Sequence, residues 1–146
     1  MTIVEVFIVL LIIAALAAIA IPAYVDFKNK ARSAGTASEL RSIEKIIYAF
    51  SIDNGGSYPT GLDQLNLGAT KDPWGNDYGY YNIIRNGTGG ARTDHVQTLN
   101  SDFDLYCVGA NGQTDEYIGD PRAQDDILRA GDGGFMGMGN AYMAAD

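Results

Sequence analysis

From Val6 to Val25 the chain carries 20 residues without a charge. At about 1.5 Å per helical residue that length crosses a bilayer core of about 30 Å. Helical patterning continues beyond it. Leu40, Ile43, Ile47 and Phe50 recur at three- and four-residue steps, the spacing of one apolar face. Glu39, Arg41, Glu44 and Lys45 fill the other side. The pattern predicts one long helix, with residues 1–25 as a membrane-spanning half and 26–53 as an amphipathic half. Asn54-Gly55-Gly56 and then Pro59 end it, because neither flexible glycine nor proline continues a helix readily.

Residues 54–146 change period. In KDPWGN, Asp72 stands first, Pro73 follows and Gly75 closes, which fits a type I turn. YGYYNII and DFDLYCVGA are short aromatic and β-branched runs bounded by Gly and Asn, and read as strands of a small antiparallel sheet. RNGTGGARTDH between them is a hairpin loop or a longer connection. The end, AGDGGFMGMGNAYMAAD, shows no clear period and is expected as coil packed on a neighbour or as a partly mobile segment. The predicted fold class is α+β: a long N-terminal helix, apolar in its first half, packed against a small antiparallel sheet. An apolar helix half with nothing in its own domain to cover it must find lipid or other subunits.

Charge and composition narrow the chemistry. Net charge is −8, and nine acids stand against Arg122 and Arg129 from Ser101 onward. Such a segment argues against nucleic acid, whose phosphates require clustered Lys and Arg, and suits a divalent cation. Cys107 is the single cysteine, so no intrachain disulfide can staple the fold. In its strand pattern Cys107 reads as a small buried apolar residue, and Trp74 as a packing anchor for its turn. His95 is the one histidine. No nucleophile–base pair or phosphate-cradling glycine loop is readable, so no enzymatic activity is expected. Asn86-Gly87-Thr88 matches a glycosylation sequon, a three-residue pattern common by chance.

The start of the chain poses a sharper problem. A cleaved secretory signal needs a basic region before its apolar stretch, and none is present. Lys28, Lys30 and Arg32 lie beyond the run, but the domain that follows is too large for them to fix orientation. Glu5 in a first helical turn gains about 0.3–1 kcal/mol from the helix dipole. An unpaired charge within an apolar segment costs on the order of 2.5–3.5 kcal/mol. The acid therefore calls for a partner.

MTIVEVFIVLLIIAALAAIAIP, with Thr2, Glu5, the uninterrupted apolar run and Pro22, resembles the N-terminal signature of type IV pilins and type II secretion pseudopilins. YPTGLDQL, DPWGN, YGY, DLYCVGANGQ and DDI follow in the order seen in the major pseudopilin subfamily, as far as about Ile127. The resemblance implies a pilin-like fold and a structural role in a homo-oligomeric helical filament, with the pseudopilus of a type II secretion system ahead of a surface type IV pilus. It implies inner-membrane assembly machinery and a prepilin peptidase as partners, with the subunit held in the inner-membrane bilayer before it enters a periplasmic or extracellular filament. On this resemblance Met1 is the processed and N-methylated end, its leader removed. Its amino group is then the expected partner of Glu5 on a neighbouring subunit. Two unit charges at 4 Å attract by about 4 kcal/mol at an effective dielectric of 20, before desolvation. Pro22 marks the place where such helices lose hydrogen bonding in the filament.

The same resemblance implies a calcium ion in the loop VGANGQTDEYIGDPRAQDD. The Val108 carbonyl, the Asn111 side chain, Asp125 and Asp126 are its expected ligands, in keeping with calcium's preference for six to eight oxygens. The chain departs from the family at four places: Met1 replaces Phe, Ala14 a common glycine and Asn111 a common aspartate, and residues after Ile127 have no counterpart. The rival class is a metal-binding or enzymatic domain on a membrane tether, for which Glu5 has no purpose.

Overall fold

A computed structural model describes residues 2–145. The helix α1 runs unbroken from Ile3 to Asp53 and includes Pro22. By contacts the chain divides into two compact units, residues up to Arg32 and residues from Ser33 onward.

In the first unit the apolar side chains lie in the open. Ile3, Phe7, Leu11, Leu16 and Ile19 are all more than half exposed. This helix is long and apolar enough to cross a membrane. Pro22 lacks the N–H that would bond back one turn, a loss that membrane helices tolerate.

In the second unit α1 supplies one wall of a core. Thr36, Leu40, Ile43, Glu44, Ile47 and Ser51 are buried, at the three- and four-residue spacing of a single face. The predicted seam is therefore present with two corrections. Phe50 is only half-buried, while Glu44, expected on the polar side, lies within the seam. Four short strands face it: β1 (Gly79–Asn82), β2 (Phe103–Cys107), β3 (Ile127–Ala130) and β4 (Phe135–Met138). They form an antiparallel sheet in chain order. This is the α+β, pilin-like architecture expected from the sequence.

Strand alternation explains the two cores. Phe103, Leu105, Cys107 and Ile127 turn toward Leu40, Ile43 and Ile47. Leu128 and Ala130 pack on the opposite side with Leu99 and Ile118. The final segment, expected as coil, instead makes β4 and a short helix α3 (Gly139–Met143). Phe135, Tyr142 and Met143 cover the second core, so this end closes the sheet's far face. Sequence periodicity misses it because four-residue elements are too short to show one.

Local chemistry sets the turns. Asp72 Oδ1 accepts the amides of Trp74 at 2.9 Å and Asn76 at 2.8 Å, and Gly75 at φ +91° bonds back to the Asp72 carbonyl. This is the turn read from KDPWGN, and the Cys107 thiol donates to the same carboxylate at 2.9 Å. β1 stops at Asn82, earlier than its apolar run suggests. The Asn82 side chain accepts the Arg85 amide and caps the short helix α2 (Ile83–Asn86).

Candidate assembly helix and cation-binding loop

Glu5 has a partner within its own chain. Its carboxylate accepts the Thr2 amide at 2.7 Å, and the Thr2 hydroxyl accepts the Glu5 amide at 3.3 Å. This reciprocal pair is a capping box, which satisfies two otherwise orphaned donors at the start of α1. The signal is plain in the sequence as Thr-x-x-Glu before an apolar run, and the expectation above overlooked it. Met1, expected to be the processed end, lies outside the described residues.

The loop between β2 and β3 brings together some of its expected ligands. The Asn111 amide donates to Asp125 Oδ2 at 2.9 Å, and the Asn111 side chain donates to the Arg122 carbonyl at 3.0 Å. Asn111 Oδ1 accepts the Gln113 amide at 2.7 Å. Gly109, next to Val108, has φ +69°, and a Cβ there would lie 2.4 Å from the Asp125 carbonyl oxygen. Only glycine permits that approach. The Val108–Asn111 turn and the Asp125 segment are thus held against each other.

Asp126 turns elsewhere. It is fully buried, its Oδ2 accepting from the Thr114 hydroxyl at 2.5 Å and standing 2.8 Å from Arg92 Nη2. Burial pushes its carboxyl up to about 6, against the opposing pull of Thr114 and Arg92. Asp126 Oδ1 is buried without a hydrogen-bond partner. Among the described residues no group of three or more His, Cys, Asp and Glu side chains could hold a metal ion. The available donors are hard oxygens on two touching segments, with one buried carboxylate oxygen unpartnered. Hard oxygens are the donor type calcium prefers, but of the expected side-chain ligands only Asn111 and Asp125 meet here.

A second arginine lies deeper. Arg129 on β3 is fully buried, and its Nε bonds Glu44 of α1 at 2.6 Å. Nη1 reaches Asp102 at 2.7 Å, the Phe103 carbonyl at 2.9 Å and Asn100 at 3.1 Å. Nη2 bonds the Tyr48 hydroxyl at 2.7 Å and Asp102 at 2.9 Å. Burial acts to lower its pKa, but Asp102 and Glu44 more than reverse that and raise it. Neither Arg92 nor Arg129 stands out in the sequence beyond its place in the charge count.

The exposed apolar first half of α1 and the closed core of the second unit are pilin-like features. No family model matches the chain, and no solved structure matches it. It is 28% identical over 132 residues to the type II secretion system core protein G of Vibrio cholerae serotype O1, covering 77% of this chain and 80% of that protein. The resemblance to the type IV pilin and pseudopilin superfamily is therefore carried by sequence and architecture together.

Proposed function

We propose that this chain is a structural subunit of a type II secretion pseudopilus, assembled through α1 into a helical filament. The observation that carries the proposal is the apolar surface from Ile3 to Val25, whose large hydrophobic side chains are all exposed. Burying apolar area is worth about 25 cal/mol per Å². Lipid covers such a helix before assembly, and copies of the same helix cover it afterwards. Similarity to a secretion-system core protein favours the pseudopilus over a surface pilus. In this reading the protein waits in the inner membrane, is processed and N-methylated at Met1, and enters a periplasmic filament. Its role is structural rather than enzymatic. Negative-stain electron microscopy of the native membrane fraction should show thin fibres that react with antibody to this chain. Material that stays monomeric when the assembly machinery is present would refute the filament.

Calcium belongs to the same proposal. Val108, Asn111, Asp125 and Asp126 would hold it, and the ion would neutralise carboxylates that otherwise repel one another in a loop with no disulfide. A ligand at a hundredfold excess over its Kd stabilises a fold by about 2.7 kcal/mol. Chelation is therefore expected to lower the melting temperature of the full chain in detergent micelles by about 5–10 °C. Calcium should restore it, and magnesium should do so less well. Asp125→Ala should remove the calcium response, and Asn111→Asp should enlarge it by adding a charge. Melting that ignores both chelator and calcium would leave the acidic loop as solvated surface.

A further inference from the structure

The stretch just past the apolar run carries a pattern that the filament does not explain. Tyr24 and Phe27 are 65% and 72% exposed on α1. Lys28 and Lys30 are exposed and Arg32 partly so, and none of the three forms an ion pair among the described residues. By contrast Arg41, Lys71, Arg92, Arg122 and Arg129 each meet a carboxylate within the chain. Tyr24, Lys28 and Arg32 stand four residues apart, so they follow one line along the helix. Asp26 is the one acid in this stretch, and it stands four residues before Lys30 on another side. The line through Lys28 and Arg32 is therefore free of acid. At about 1.5 Å per residue Lys28 lies about 4.5 Å past Val25, and Arg32 about 10 Å past it. The headgroup layer adds about 5–7 Å to each side of a hydrocarbon core. Helical side chains tilt toward the N-terminus, here toward the apolar run, so both cations can reach back into that layer.

We propose that Tyr24, Lys28 and Arg32 form an interfacial clamp for the phosphate of anionic phospholipids, in the leaflet where α1 leaves the membrane. The inference rests on the membrane stage of the function proposed above. A tyrosine ring, apolar with a polar tip, suits the boundary between acyl chains and headgroups. Phe27 adds a second ring beside it. Lysine supplies a point charge and arginine a planar fork, and both pair with phosphate oxygens. The sign of the whole molecule makes the assignment specific. Net charge is −8, so the protein taken together repels an anionic surface. A preference for anionic lipid must therefore come from a local group of cations, and this group is the one that adjoins the apolar run. The clamp fixes how deep the helix sits, and with it the position of Glu5 near the other end of the same helix half.

The test places the full chain in phosphatidylcholine vesicles. Electron paramagnetic resonance then compares its association with spin-labelled phosphatidylglycerol and with spin-labelled phosphatidylcholine. Insertion is scored first, by resistance to alkaline extraction. A cation at an anionic surface favours it about fivefold, so the wild type should select phosphatidylglycerol about fivefold or more. High salt should weaken the selection. Lys28→Gln combined with Arg32→Gln should stay inserted and lose it. Lys28→Arg combined with Arg32→Lys keeps both charges and should retain it. Lys45→Gln, further out on the same helix, should retain it as well. An inserted wild type that selects no anionic lipid overturns the clamp and leaves the filament reading intact. Selection that survives in the double Gln variant overturns it too, even where that variant makes fewer fibres, since the cations then serve a neighbouring copy. A chain that does not insert at all removes the membrane stage of the proposed function and this inference with it. If only the double Gln variant fails to insert, Lys28→Gln alone decides by the same criterion.

Discussion

Replacing Glu5 by alanine is expected to cut fibre yield about tenfold or more, the effect of losing about 1.4 kcal/mol per subunit contact. The amount of membrane-inserted subunit should stay level or rise, because an inserted monomer gains by losing a charge in an apolar segment. The capping box supplies the rival explanation, in which Glu5 only finishes the start of α1 through Thr2. Two further variants separate the readings. Thr2→Ala breaks the reciprocal bond but keeps the acid, and should assemble nearly as well as wild type. Glu5→Gln keeps an acceptor for the Thr2 amide but has no charge to attract a neighbouring amine, and should assemble poorly. Fibre yield per inserted subunit, measured by shearing and immunoblot, decides between them. Normal fibres from Glu5→Ala, or equal losses from Thr2→Ala and Glu5→Ala, would reduce the acid to a helix-end residue.

What was legible in the sequence follows from what each feature requires. An apolar run of membrane length and a seam at three- and four-residue steps are local, so α1 could be read with its boundary at Asp53. The Asp72 turn is equally local, fixed by a side chain bonding amides two and four residues on. Glu44 was misplaced although its position was periodic. It stands four residues after Leu40 and three before Ile47, on the buried face, and only its charge argued otherwise. That charge is tolerated because Arg129 meets it from 85 residues away. A pairing between distant segments leaves no trace in either one. The same holds for Asp126, expected as a metal ligand, whose contact with Arg92 from 34 residues earlier is not legible in the sequence. β4 and α3 escaped for a different reason, as elements of four and five residues gain their stability from packing on the second core.

Arg129→Met should destabilise the second unit by about 3–5 kcal/mol, the usual cost of breaking a buried ion pair by removing one partner. The arginine joins α1, through Glu44 and Tyr48, to Asn100, Asp102 and Phe103 at the start of β2. Methionine fills similar volume but leaves the buried Asp102 carboxylate without its cation and Glu44 with only the partly exposed Arg41. Because the network is closed to solvent, added salt should not rescue the variant, as it would if the loss were one of surface charge. Neutralising both acids should. Arg129→Met combined with Glu44→Gln and Asp102→Asn is expected to recover most of the loss, a non-additivity that only groups in direct contact show. Urea unfolding of the full chain in micelles, followed by Trp74 fluorescence, provides the measurement. A loss under about 1 kcal/mol, or no recovery in the triple variant, would mean that apolar packing alone holds the sheet to the helix.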